Sequence, residues 1–359
     1  PASGSENVNP DTHLVLTFSE TPVLGDSGMI RVYDAVTDQV VDSLDLSIPS
    51  GPTESRTYGP ECDYTKVPYD YTRTVVPTNK DTRPGTPSGT AEPTPPVYQL
   101  TIIGGFTDAF HFYPVIVRDS IATIYLHNNM LEYGHTYYVT IDNGVLNLAD
   151  GSFQGVTKED EWTFTTKSDM PELSDTLIVD ATGKGDFNTV QGALDFIPDF
   201  NEQQTVILVN PGDYEELVYT RNKWNVKIKG AGMADTKVHY ANNEVFNPHP
   251  LTVKTNEWPG TFPSRRAAFM LDNCKDIVIE DMTIATDLKG QAEGLLINGV
   301  RIALYRVHII GSGDALQANG TIYMESCELD GGGDTILGRG SLFAYKSNFL
   351  IGGGPFSCV

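Results

Sequence analysis

Four segments in the second half of the chain superpose without gaps: IVIEDMTI (277–284), IALYRVHI (302–309), IYMESCEL (322–329) and FAYKSNFL (343–350). Ile277, Ile302, Ile322 and Phe343 share one column, Ile279, Leu304, Met324 and Tyr345 a second, and Ile284, Ile309, Leu329 and Leu350 a third. The separations are 25, 20 and 21 residues. A unit this short, with β-type alternation and glycine-rich turns, cannot bury its own apolar face. Successive units must therefore stack, and equivalent residues form ladders. The repeat predicts a parallel β-solenoid. The column Met282, Val307, Cys327 and Asn348 reads as inward, which makes Cys327 a core residue rather than a nucleophile.

The same period brings a second pattern into register. Gly311-Ser312-Gly313-Asp314 is followed twenty residues on by Gly331-Gly332-Gly333-Asp334. Strands on neighbouring coils lie about 4.8 Å apart, so the two carboxylates should sit side by side. Two like charges that close cannot both ionise cheaply, and one is expected to hold a proton while the other stays charged. Such a pair can serve as proton donor and nucleophile. The next coil breaks the series, because Gly352-Gly353-Gly354 is followed by Pro355. Stacked aspartates can also cap turns or hold a calcium ion, and spacing alone does not choose between these roles. Ser312 lacks the GxSxG frame of a nucleophilic serine.

The first half has a different grammar. HLVLTF (13–18), GMIRVYDAVTDQVV (28–41), VYQLTII (97–103), IATIYLH (121–127), TYYVTID (136–142) and DEWTFTT (160–166) are short alternating runs separated by turn signals. They predict a β-sandwich over 1–168, with a hairpin around Thr37-Asp38 and a Pro/Thr/Gly-rich insertion over about 49–96. Near 167–173 the pattern changes to strand, turn, short helix (about 189–197) and strand, which opens the second domain over 172–359. The glycines of Gly183-Lys184-Gly185 lack the Lys-Ser/Thr of a phosphate loop. A net charge of −23 argues against nucleic acid as a partner. No apolar run approaches the ~18 residues that span a bilayer. The four cysteines form no CxxC pair or zinc pattern and read as buried free thiols.

Two resemblances add to this reading. The N-terminal half resembles bacterial Ig-like modules in the order LVLTFSETPV, LEYGHTYYVTIDNGVLNLADG, WTFTT. Residues 176–232 resemble the opening of the pectin methylesterases (pectinesterases) through Asp180, Gly183, Gly185, Phe187, Thr189-Val190, Ala193, Pro198, Val206-Ile207, Gly212, Tyr214, Glu216, Asn225, Ile228 and Gly230. The resemblance resumes at Gln291-Ala292 and runs through the Asp314 and Asp334 segments. It implies an all-β chain, a right-handed parallel β-helix preceded by an Ig-like sandwich, and metal- and cofactor-free removal of methyl groups from methylated polygalacturonate. It also implies that Asp334 is the nucleophile, Asp314 the general acid/base and Gln291 an oxyanion donor. Gln317, Tyr305 and Trp258 are candidate substrate contacts, with Phe356 a further aromatic. The implied setting is a secreted, periplasmic or cell-surface bacterial protein that acts on plant cell-wall polysaccharide, its signal sequence absent from this chain. The acidity suits a methylated, nearly neutral substrate, so activity should fall as methylation decreases.

Two departures from the family pattern are specific. Gly313 stands where the family places a second oxyanion glutamine. The family's Leu-Gly-Arg-Pro-Trp segment, whose arginine pairs with the nucleophile, does not appear before Val359. Arg339 in LGRG (337–340) lies at a different place in the motif order and is not given that role. A fragment, a cation supplied by another coil, or an inactive protein remain as alternatives. Two rival functions follow: a polysaccharide-binding β-helix without turnover, and a pectin or pectate lyase, for which no calcium-binding carboxylate set with an opposing base is apparent.

Overall fold

The computed structural model describes residues 1–51, 98–106, 110–247 and 264–351. Most of the Pro/Thr/Gly-rich insertion, Trp258, Phe356, Cys62, Cys358 and the Gly352–Pro355 turn lie outside the described residues. The chain forms two compact units. The first holds Pro1–Gly51, 98–102 and His111–Glu172, and the second holds Leu173 onward together with the segment Ile103–Phe110.

In the first unit, five strands run in the order Ser5–Val8, Thr163–Thr166, Thr136–Ile141, Met29–Asp34, Val40–Asp45. A second sheet holds Leu14–Thr17, Ile121–Ile124 and Val115–Arg118. Met29–Asp34 alternates half-buried and buried along its length, as a strand with one face on a core must. Ile30, Val32, Val139 and Phe164 of the first sheet share one core with Leu14, Val115, Ala122 and Ile124 of the second, which makes the unit a two-sheet sandwich. The hairpin at Thr37-Asp38 forms as the sequence predicts. The Asp34 carboxylate accepts from the Thr37 amide at 2.8 Å, and Asp38 takes the left-handed conformation with φ 58°.

The second unit is a parallel β-helix with three sheets. One stacks Thr176–Val179, Thr205–Val209, Trp224–Lys229 and then the middle parts of Phe269–Thr286 and Leu295–Ile310, ending with Leu316–Glu325 and Ser341–Tyr345. Another stacks Gly212–Glu215, Thr236–Tyr240, the ends of the two long strands, Glu328–Gly331 and Asn348–Ile351. The third stacks Val218–Arg221, Phe269–Asp272, Leu295–Asn298, Leu316–Asn319 and Ile336–Leu337. The columns Ile277/Ile302/Ile322 and Ile279/Leu304/Met324 run through one core with Met282, Val307 and Cys327. Cys274 and Cys327 are free and buried, and burial pushes the Cys274 thiol up to about 12, so it stays protonated.

The last coil departs from the sequence alignment by one residue. Ile322 pairs with Leu342, Met324 with Ala344 and Leu329 with Phe349. Leu342 and Phe349 therefore face the core, while Phe343, Tyr345 and Leu350 are 63%, 46% and 44% exposed. Asn348 is exposed and pairs with Glu328 rather than joining the inward column. Matching the largest apolar side chains implies a 21-residue step where the coil takes 20, and a one-residue slip moves every side chain to the other face.

A short helix, Val190–Phe196, closes one end of this core. Thr189 caps it by accepting from the Gly192 amide, and the buried Glu216 carboxylate accepts the Val190 and Gln191 amides at 2.8 and 2.9 Å. Phe106 and Phe110 pack on Tyr219, and the buried Arg265 guanidinium lies 4.8 Å over the Phe106 ring. Among the described residues no helix is long and apolar enough to cross a membrane.

Candidate active site

The turns that enter the third sheet carry the candidate residues. Leu295, Leu316 and Ile336 are register partners, so two residues earlier Glu293, Asp314 and Asp334 occupy one column. The turns are locked to one another by backbone bonds. Gly294 donates to Ala315 O at 3.0 Å and Ala315 to Thr335 O at 3.2 Å; Ser312 donates to Ala292 O at 3.0 Å and Gly332 to Ser312 O at 2.8 Å. The Ser312 hydroxyl accepts from the Gly290 amide at 3.1 Å, so it braces the Gln291 turn. The stacked aspartates expected from the Gly-Asp repeat are thus brought together, and a third acid joins them.

Glycine is required where these turns close on themselves. A Cβ on Gly311 would lie 1.6 Å from the Asp314 carbonyl oxygen. At Gly313 it would lie 2.8 Å from the Gly290 carbonyl, to which the Gly313 amide donates at 2.7 Å. A glutamine at 313 would push away the backbone that presents Gln291, which accounts physically for the glycine found there.

Arg266, just ahead of the strand Phe269–Thr286, reaches into this column. Its Nε donates to both Glu293 carboxylate oxygens at 2.8 and 3.0 Å. Nη1 donates to Gln291 Oε1 at 2.7 Å, and Nη2 to Asp314 Oδ2 at 3.0 Å. Glu293 is fully buried and Asp314 is 5% exposed, whereas Asp334 and Gln291 are exposed. Burial pushes the Asp314 carboxyl up to about 7. The Glu293 charge adds to this, Arg266 opposes it, and Asp334 and Glu244 contribute smaller increases. Burial also raises Glu293, against the pull of Arg266. Asp314 is therefore a carboxyl whose ionisation is shifted toward neutral pH, beside an exposed aspartate. Because a guanidinium can only donate, the Gln291 carbonyl must face it, and the amide nitrogen points away.

The remaining sequence candidates are placed elsewhere. Gln317 is buried at 1% exposure on the third sheet, and its Oε1 has no hydrogen-bond partner among the described residues. Tyr305 belongs to the first sheet, in register with Glu325 and with its ring 5.8 Å from that of Tyr323, rather than to the turns that carry the acids. Arg339 is exposed, and its backbone amide caps an amide ladder, donating to Asn319 Oδ1 at 3.0 Å. Sequence reasoning missed Glu293 and Arg266. Glu293 carried a signal, since Glu-Gly-Leu, Asp-Ala-Leu and Asp-Thr-Ile recur at 21- and 20-residue steps. Arg266 carried none.

Away from this column, Glu215, His239 and Asp287 place potential metal-ligating atoms within 4.8 Å of one another. Carboxylates already face both ring nitrogens, Asp287 at Nδ1 and Asp213 at 2.9 Å from Nε2.

The sequence profile of the Pectinesterase family matches residues 176–352. Pectinesterase QRT1 of Arabidopsis thaliana is 30% identical over 171 residues, 45% of this chain and 44% of that protein. Pectinesterase 31 of Arabidopsis thaliana is 29% identical over 166 residues, 45% of this chain and 51% of that protein. The chain thus spans about half the length of the curated relatives it matches. Among solved structures, pectin methylesterase from carrot is 20% identical, covers 50% of this chain and 54% of its own, and superposes with a TM-score of 0.42. By its segment 176–352, this chain belongs to the pectinesterase family.

Proposed function

We propose that this protein hydrolyses methyl esters of methylated polygalacturonate (pectin) through an aspartyl acyl-enzyme, without a metal. The observation that carries the reading is the buried Asp314, its carboxyl raised by burial, stacked one coil from the exposed Asp334. The Asp334 carboxylate attacks the ester carbonyl carbon, and the Gln291 amide N–H stabilises the oxyanion. Collapse breaks the bond to the methoxy group, Asp314 gives its proton to the departing oxygen, and methanol leaves. Asp314, now a carboxylate, takes a proton from water as that water attacks the sugar carbonyl of the anhydride. Asp334 is released as a carboxylate and the product is a free uronic acid, so one water is consumed per methanol formed.

The substrate class is supported by family membership, and an extracellular setting goes with that reading. The first unit, read as an Ig-like module, serves for spacing or display. Gly313, where the family pattern places a glutamine, favours a second reading, a polysaccharide-binding β-helix that has lost turnover. Incubation with highly methylated pectin separates the readings. Methanol without unsaturated ends supports the esterase, unsaturated ends support a lyase, and retained binding with neither product supports the binding module.

A further inference from the structure

Among the described residues Asp334 makes no ion pair, whereas Asp314 and Glu293 share the guanidinium of Arg266. Arg266 is only 16% exposed in its side chain and serves three partners from one planar group: Glu293, Gln291 and Asp314. Each contact leaves a defined face of the partner free. On Gln291 the free face is the amide nitrogen, since Oε1 is taken. On Asp314 it is Oδ1, since Oδ2 accepts from Nη2, so a proton on this carboxyl belongs on Oδ1. Only a rigid multi-donor fork can fix both at once, and a lysine ammonium cannot reproduce it. Glu293 has no access to solvent and contributes nothing by direct contact with a substrate. It holds the guanidinium through both carboxylate oxygens and places a negative charge one coil from Asp314.

We propose that Arg266 and Glu293 form the positioning device of this site. Arg266 orients the Gln291 amide and the proton-bearing oxygen of Asp314, and Glu293 anchors Arg266 and sets the charge that Asp314 feels. The inference deepens the ester-hydrolysis reading and rests on it for its catalytic meaning. The groups that face Asp314 are Glu293 on the preceding coil, Asp334 on the following one, Arg266, and Glu244 from the segment beside the Gln291 turn, whose amide donates to Gln291 O at 3.0 Å. Removing one anion or the one cation from this set has opposite consequences. Glu293→Gln deletes a repulsive charge and lets Asp314 ionise at lower pH. Arg266→Met deletes the opposing charge of this set and holds the proton on Asp314 to higher pH.

The test is a titration of the Asp314 carboxyl by difference infrared spectroscopy. Each background is measured against its own Asp314→Asn partner, with methanol release followed across the same pH range. The midpoint should fall by about one unit or more in Glu293→Gln and rise by a similar amount in Arg266→Met, the scale set by single charges at this distance. The alkaline limb of methanol release should move with each. Arg266→Lys keeps the charge and should leave the midpoint near the parent value, while methanol release stays roughly tenfold or more below it because Gln291 is no longer oriented. Midpoints that do not move, or that move in the same direction, overturn the proposal. So does full activity in Arg266→Lys. Glu293→Gln changes size very little, and its midpoint decides the matter alone if Arg266→Met does not fold. Midpoints that move oppositely in proteins that release no methanol would uphold the positioning device and sink the ester-hydrolysis reading instead.

Discussion

Two of the arginine–carboxylate systems that link neighbouring coils of the β-helix have opposite results. On the outside of the first sheet, Arg301 pairs with Asp276 and Arg306 with Asp281, each 25 residues back along the chain. These pairs meet water, and their arginines hold both aspartates below the usual carboxylate range. At the entry to the third sheet, Arg266 also meets carboxylates from neighbouring coils, but there burial outweighs the cation and both Glu293 and Asp314 are raised. The same ion-pair chemistry locks charge in place where solvent reaches it and stores a proton where solvent does not. Solvation, rather than residue type, sets this difference, and the buried Arg221–Asp272 pair follows the same rule, with Asp272 raised by burial.

The comparison can be broken most forcefully at Asp314. Asp314→Asn removes the proton donor and should lower methanol release about 10²–10⁴-fold, the usual scale for general acid–base catalysis. It should also stabilise the fold above neutral pH. A carboxyl raised from about 3.8 to about 7 binds its proton more tightly folded than unfolded. It therefore costs nothing below the unfolded value, and its cost grows as pH rises to about 7. The stability gain in Asp314→Asn should accordingly be near zero at pH 3.5 and reach a plateau above pH 7, measured by denaturant unfolding at several pH values.

Gln291→Ala should cost about 10²–10³-fold in kcat, the scale for one oxyanion donor, with KM little changed. An unchanged kcat would remove Gln291 from the mechanism. Acylation needs a protonated Asp314, so its rate in the parent protein should fall about tenfold per pH unit above 7, as read from pre-steady-state methanol release. The smallest effect belongs to the outer ladder. Arg306→Ala should change stability by about 0–1 kcal/mol and leave methanol release and its pH profile unaltered. A shifted profile there would mean that the two arginine systems are not separate.

The fold of the second half was legible because a short period forces stacking, and the register from Ile277 to Leu329 follows from it. The alignment of the last described coil slipped because Phe343, Tyr345 and Leu350 look like core residues, yet the register gives the inward positions to Leu342 and Phe349. The aspartate pair was legible through its glycines. Glu293 was not, because its turn reads Gln-Ala-Glu and carries no glycine run, although its step to Asp314 is one coil. Arg266 could not have been found from spacing. It precedes Glu293 by 27 residues and Asp314 by 48, and side-chain reach, not strand register, brings it to them. Tyr305 sits on the first sheet rather than at the entry to the third, because outward alternation predicts exposure but not which of three faces a residue occupies.

The central claim is that the Asp334 carboxylate opens the ester while Asp314 supplies the proton. It is tested most directly by methanol release from highly methylated pectin, comparing the parent protein with Asp334→Ala. The expected result is steady methanol release from the parent, no unsaturated ends, and loss of turnover in Asp334→Ala with pectin binding retained. Methanol released at the parent rate by Asp334→Ala would contradict it.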